Sequence, residues 1–196
     1  MTRTLFATPL YDRLIDDPAL LAELAHSIGT LATDDGAGRK WSRDHHYRGY
    51  TSYASLDDLP RRDPAFAALK RHLDRAAAEF ATTLAFDLGR KPRLDSLWAS
   101  WLKAGGHHAA HIHPQSLLSG TFYVDAPAGS GAIRFEDPRL AMMMAAPPRR
   151  ADAPEALRTF VDVVPGSGQL LMWESWLRHE VRPGAGDRLS VSFNYA

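Results

Sequence analysis

From Pro92 onward the chain is a succession of short apolar runs separated by turn residues: LDSLWASWLK, LLSGTFYVDA, GAIRFED, FVDVVPG, QLLMW and RLSVSFNYA. Runs of this length, rich in β-branched and aromatic residues, read as strands, and their close spacing points to an all-β sandwich or barrel. Gly105-Gly106, Pro127 to Gly131 and Pro165 to Gly168 mark the turns between them. The segment Met142 to Ala156, rich in Pro and Ala, interrupts the pattern and reads as a mobile insertion.

The first 92 residues have a different periodicity. Asp17-Pro18 and Asp63-Pro64 each combine a capping side chain with a proline suited to the first helical position. Leu21, Leu24, Ile28 and Leu31 follow the first on one helical face; Phe66, Leu69, Leu73, Phe80 and Leu84 follow the second. Gly89 is the expected stop of the second helix. Between the helices, Asp34 to Pro60 reads as a long loop with one short strand near Tyr50 to Tyr53. The expected architecture is mainly β, two helices packed outside a barrel-like sandwich. The expected organisation is one domain over residues 1–196, helical with a long loop to residue 92 and a β core over 93–196.

Lys plus Arg equals Asp plus Glu at 23 each, so the chain lacks the positive excess of a general nucleic-acid or anionic-membrane binder. It has no cysteine, which removes disulfides, thiolate ligands and a cysteine nucleophile. No run approaches the roughly 18 apolar residues of a membrane span, and MTRTLFATPLYDRL has no signal-peptide layout. The expectation is a cytoplasmic enzyme or binding domain. An exposed β edge and several aromatic side chains make a homodimer reasonable.

Four of nine histidines fall within HHAAHIH, residues 107–113, just before one of the strongest strand signals. Residues two apart on a strand point to the same face, so His111 and His113 can converge inward with Ile112 outward. A third imidazole, His179, follows the apolar run LLMWESWLR. Three imidazoles suit Fe, Zn, Cu or Ni and leave positions open. His107 and His108, beside the glycine pair, read as loop residues, and His26, His45, His46 and His72 as helix or loop residues, with His45-His46 able to approach the site. Nine residues after His179, across a Pro-Gly turn, comes Arg188, with Ser190 on the same strand face. An arginine fork and a hydroxyl at that place suit a carboxylate whose other end lies on the metal.

With these residues in view, the sequence resembles the Fe(II)/2-oxoglutarate-dependent oxygenases, and more narrowly the bacterial and phage group of 2OG-Fe(II) oxygenases. The matching stretches are WASWLKAGG, HIHPQSLLSGTFYV, FEDPR, PGSGQLLMWESWLRHEVRP and DRLSVSFN, with LFATPLY at the start. The resemblance implies a double-stranded β-helix, or jelly roll, with helices packed outside. It implies Fe(II), 2-oxoglutarate and O₂ as cofactor and co-substrates, with release of succinate and CO₂ as an unknown substrate is oxidised. Residue by residue, it implies His111 and His179 as metal ligands, Arg188 and Ser190 on the far carboxylate of 2-oxoglutarate, and Tyr123 as a further co-substrate contact. Where the wider superfamily has an acidic ligand, this chain has His113, which either completes the metal site or stands behind it. Asp137 is the nearest carboxylate alternative, and its Asp-Pro setting reads as a turn.

Two other readings stay open on the residues themselves. A three-histidine cupin that does not use 2-oxoglutarate suits His-x-His, but Pro114, Gln115, Ser116 and Leu117 stand where such proteins usually place a glutamate. A non-catalytic jelly-roll binding domain would use the histidines as polar filler. Trp98, Trp101, Trp173 and Trp176 read as core and rim packing. Asp34 to Pro60 and Met142 to Ala156 are the expected places for substrate contacts.

Overall fold

The computed structural model describes all residues, Met1 to Ala196. Ten strands form two sheets. In chain order they are β1 (Tyr11–Leu14), β2 (Gly49–Thr51), β3 (Leu94–Leu102), β4 (His108–His111), β5 (Leu118–Asp125), β6 (Ile133–Glu136), β7 (Phe160–Val163), β8 (Gln169–Glu174), β9 (His179–Val181) and β10 (Arg188–Tyr195). The major sheet runs β1-β8-β5-β10-β3-β2 and the minor sheet β4-β9-β6-β7, with every pairing antiparallel. This is a jelly roll: the strand signals pointed to a sandwich or barrel, and the double-stranded β-helix is the form that the resemblance implies.

Four helices precede the third strand: α1 (Pro18–Asp34), α2 (Gly36–Asp44), α3 (Leu59–Arg62) and α4 (Pro64–Thr83). The two Asp-Pro starts behave as expected. The Asp17 side chain accepts from the Leu20 N–H at 3.0 Å, and that of Asp63 from the Ala65 N–H at 2.8 Å. Helix α4 ends at Thr83, short of Gly89, because Ala85 takes the left-handed conformation (φ 54°) and Leu84 closes the last turn on Phe80. The supposed loop from Asp34 to Pro60 contains α2, capped by Asp35 on the Gly38 N–H at 2.9 Å. Two glycines and a polar composition hide that helix from periodicity. The short strand in this stretch lies at Gly49–Thr51, slightly before the expected place. The first 92 residues also supply both edge strands of the major sheet, β1 and β2. Residues 142–156 are mostly exposed and are bounded by single 3₁₀ turns at Leu140–Met142 and Glu155–Leu157.

Alternation along the strands separates two cores. Val191, Phe193 and Tyr195 of β10, with Phe122 and Val124 of β5, pack against Leu24 and Ile28 of α1 and Phe66, Leu69, Leu73 and Phe80 of α4. The alternate residues point between the sheets, where a smaller apolar cluster holds Tyr123, Phe135, Leu171, Trp173 and Leu177. Much of that inner face is polar. Ser119 donates to Asn194 Oδ1 at 2.8 Å and shares a hydrogen bond with Ser175 at 2.7 Å; Ser100 donates to Thr51 Oγ1 at 3.0 Å. The main core therefore lies behind the major sheet, and the space between the sheets is left for polar chemistry. No helix is long and apolar enough to cross a membrane.

Leu73 is fully buried in the core behind the sheet. Leu73→Ala is expected to cost about 2–5 kcal/mol. Asp63→Ala, which removes only a helix cap, is expected to cost about 1 kcal/mol. Urea unfolding of the metal-free protein measures both, and equal losses would contradict the view that packing, rather than capping, holds α4 in place.

Candidate metal centre

His111, the last residue of β4, pairs directly with His179, the first residue of β9. His113 lies past the end of β4, in a turn held by its own N–H donating to the Ser175 carbonyl at 3.0 Å. His111 is thus placed by its strand, as expected, whereas His113 is brought inward by the turn; Ile112 between them is exposed as expected. Ring centroids are 4.4 Å apart for His111–His179, 5.0 Å for His111–His113 and 5.2 Å for His113–His179. One nitrogen from each ring lies within 4.8 Å of the other two.

Two of these rings have fixed tautomers. His111 Nδ1 lies 2.7 Å from the Ala109 carbonyl, and His179 Nδ1 lies 2.9 Å from the Leu177 carbonyl. A carbonyl oxygen only accepts, so Nδ1 carries the proton and donates. Each Nε2 then keeps its lone pair free, the arrangement usual for a metal-binding imidazole. Burial pushes the pKa of His113 down to about 4, and His111 beside it adds to the effect. Burial pushes His179 down to about 3; the Leu177 carbonyl works against that shift, and the other histidines reinforce it. Both are therefore neutral, ligand-ready bases at neutral pH. Asp137 is occupied elsewhere: it accepts from the Arg139 backbone N–H and from its Nε, both at 2.9 Å, and from Nη2 at 2.7 Å. It is a turn residue and stands outside the imidazole cluster.

The inner face of β10 carries the second feature. Arg188 is 3% exposed, and its Nη1 donates to the Gly131 carbonyl at 3.3 Å. Its Nε is buried with no partner, and it takes part in none of the ion pairs of the structure. Its guanidinium carbon lies 5.4 Å from the centre of the Tyr123 ring. Ser190 is fully buried two residues on, between Ser100 of β3 and Tyr123 of β5. A buried guanidinium without a counter-charge is costly, and a carboxylate is the group that satisfies it best.

Sequence reasoning missed His108. It begins β4 rather than lying in a loop, and its Nε2 lies 3.1 Å from the Tyr47 hydroxyl. Burial, with Arg188 next in importance, pushes its pKa down to about 3. Nothing in the local sequence separates His108 from His107; only the pairing of β4 with β9 does. The tryptophans divide as well. Trp173 is buried with its ring edge-on to His179, centroids 4.6 Å apart. Trp98 stands 6.1 Å from His113, followed outward by Tyr53 at 5.3 Å and Trp41 at a further 6.0 Å, with His45 stacked on Trp41.

The jelly roll thus brings together three inward imidazoles that could hold a metal ion and, on the facing sheet, a buried arginine without a counter-charge. Residues 96–194, half of the chain, match the family described as "Putative 2OG-Fe(II) oxygenase". The chain belongs to this family of 2-oxoglutarate- and iron(II)-dependent oxygenases. Solved structures with a similar fold include a prolyl-4-hydroxylase of Pseudomonas putida (TM-score 0.63, 16% identity, covering 96% of this chain and 92% of that one). The α-ketoglutarate-dependent epimerase SnoN from nogalamycin biosynthesis is similar at TM-score 0.64 and 17% identity, over 96% of this chain and 78% of that one. HygX from Streptomyces hygroscopicus, solved with nickel and 2-oxoglutarate bound, is similar at TM-score 0.60 and 16% identity, over 96% of this chain and 82% of that one. No curated protein matches the sequence.

The buried histidines make stability depend on pH. In the unfolded chain an imidazole titrates near 6.5. In the folded, metal-free protein His113 does so only at about 4, and His108 and His179 at about 3. Between these values the unfolded chain binds more protons, so stability rises with pH through that window and is lost as pH falls below roughly 6.5. The urea midpoint of metal-free protein is expected to be lower at pH 5 than at pH 7.5, with a smaller gap in His108→Phe. An unchanged midpoint would show that these imidazoles do not stay neutral in the fold.

Proposed function

We propose that His111, His113 and His179 hold Fe(II), and that Arg188 and Ser190, with Tyr123 beside them, bind the far carboxylate of 2-oxoglutarate. On this reading residues 1–196 form a single oxygenase domain that oxidises a substrate with release of succinate and CO₂. The unpaired buried guanidinium of Arg188 carries the proposal, because it asks for an anion in the space between the sheets, into which the imidazoles face from the minor sheet.

The chain's own residues fit both groups. Two Nε2 lone pairs are freed by backbone carbonyls on Nδ1, and His113 is neutral at the working pH. Arg188 and Ser190 fix the co-substrate's distal end, so its keto-acid end is oriented toward the imidazoles. Tyr123 and Trp173 close the buried side of the space against water. When bound, iron supplies the activation of O₂ and the oxidising power; the protein supplies orientation and exclusion of solvent. Exposed Ile112, Trp176 and Tyr53 lie on the segments that bear or adjoin the imidazoles, and they are the first candidates for substrate contact. The same reading places the chain in the cytoplasm, where reducing conditions favour ferrous iron, and the open edge strand β7, with Phe160 exposed, supports a homodimer that sedimentation would test.

The test is succinate formation from 2-oxoglutarate by metal-free protein reloaded with Fe(II). His179→Ala is expected to abolish it. Arg188→Ala is expected to weaken 2-oxoglutarate binding roughly 10- to 100-fold, the range for charge-assisted hydrogen bonds. Absence of turnover, together with no visible charge-transfer band from Fe(II) and 2-oxoglutarate without oxygen, would overturn the co-substrate assignment. Metal binding that survived such a result would favour the cupin reading, which the carboxylate-free donor set also suits.

A further inference from the structure

The anion end of the pocket has a wall that the Arg188-Ser190 pair does not supply. In the major sheet Gly49 of β2, Leu102 of β3 and Arg188 of β10 stand side by side in one row of the register. Tyr47 lies two residues before Gly49, so the chain enters β2 at the row of the arginine. The approach is tight. Gly49 has φ 138°, its N–H donates to the Tyr47 carbonyl at 2.9 Å, and a Cβ there would meet the Trp101 carbonyl oxygen at 1.9 Å. Only glycine allows this turn, and the turn carries Tyr47 inward.

From the opposite sheet, His108 of β4 meets Tyr47: Nε2 to hydroxyl 3.1 Å, ring centroids 5.5 Å. The pair therefore bridges the two sheets beside a guanidinium whose Nε has no partner. Arg188 is close enough to act on both members: after a hydrogen bond with Ser100 it opposes the rise that burial causes in Tyr47, and it adds to the fall that burial causes in His108. When His108 donates its Nε2–H to the phenol oxygen, the Tyr47 O–H is free to donate in turn. Ser100, whose own hydroxyl donates to Thr51, is the polar side chain of the sheet beside Tyr47, and no carboxylate of the chain is ion-paired to Arg188 there, which leaves a ligand anion as the charged acceptor for both Arg188 and Tyr47.

We propose that the Tyr47 hydroxyl, oriented by His108, donates a hydrogen bond to the distal carboxylate of 2-oxoglutarate and so completes the anion end that Arg188 begins. This rests on the co-substrate reading above. Tyr47 is then a co-substrate-binding residue and His108 a positioning residue acting through it. The consequence is selectivity: the pair adds affinity only for a 2-oxo acid that has a second carboxylate.

Anaerobic titration of the Fe(II)-loaded protein with 2-oxoglutarate and with 2-oxobutyrate, which lacks the distal carboxylate, tests this through the visible absorption of the complex. Wild type is expected to prefer 2-oxoglutarate strongly. Tyr47→Phe is expected to lose about tenfold or more in 2-oxoglutarate affinity with 2-oxobutyrate affinity unchanged. His108→Leu is expected to show a smaller selective loss, and His108→Gln, which keeps an N–H donor, to restore most of it. Equal weakening toward both acids, or no change toward either, would overturn the proposal and leave the pair as a clamp between the sheets. A wild type that does not distinguish the two acids would overturn the co-substrate reading itself, a result separable from the behaviour of the variants.

Discussion

A guanidinium buried at the start of β10 with no acidic partner governs much of the architecture. The effective penalty for burying such a charge is several kcal/mol, and the fold offsets it elsewhere. Strand alternation does the sorting: Arg188, Ser190 and Asn194 face between the sheets, and Val191, Phe193 and Tyr195 face the helices. The same division runs through β5, where Phe122 and Val124 enter the helix-side core and Ser119, Thr121 and Tyr123 turn inward. Most dry packing therefore sits behind the major sheet, under α1 and α4. That leaves the space between the sheets free to be polar, strained for counter-charge and open to a ligand.

The electrostatics of the two ends fit together. Three imidazoles contribute no negative charge, so a divalent ion held by them keeps its full charge. Arg188 adds a second uncompensated cation from the facing sheet. On the proposed reading a dicarboxylate sets one negative charge against the metal end and one against Arg188, which a monocarboxylate cannot do. If His113 ligates as proposed, an imidazole in place of an acidic ligand leaves the counter-charge to come from the bound acid rather than from the protein. The imidazoles themselves need little outside support. Ala109 and Leu177 each orient the ring two residues further on, so the geometry of β4 and of the turn into β9 sets the donor direction.

The six apolar runs after Pro92 each became a strand because each covers a core on at least one face, and that pattern is written locally. His111, His179, Arg188 and Ser190 were legible for the same reason: they sit at fixed offsets from such runs. β4 and β9 were not, since HAAH and HEV carry no apolar pattern of their own and are strands only because they pair with each other and with β6. His108 went unread with them. Helix α2 was hidden by Gly36 and Gly38 in its first turn, and its start depends on Asp35, whose carboxylate also accepts from Tyr50 at 2.9 Å and from Ser55 at 2.5 Å. Those partners come from residues 15 and 20 positions away, beyond the reach of local periodicity.

The rim of the site is tied into the sheet at several points. The His113 N–H donates to the Ser175 carbonyl, the Ser175 N–H donates to the Leu117 carbonyl, and the Ser175 hydroxyl bonds that of Ser119 on β5. Both turns bearing ligands are thereby anchored to one central strand, and truncating a side chain on the outer segments leaves those bonds intact. The aromatic side chains that lead outward from His113 run from Trp98 on the sheet to Tyr53 and Trp41 on the segment between α1 and α4. Tyr47 apart, that segment and residues 137–159 supply surface and none of the clustered imidazoles. Substrate preference can therefore change there by side-chain replacement while the imidazoles and Arg188 keep their places, which is the division of labour expected of loops on a rigid β scaffold.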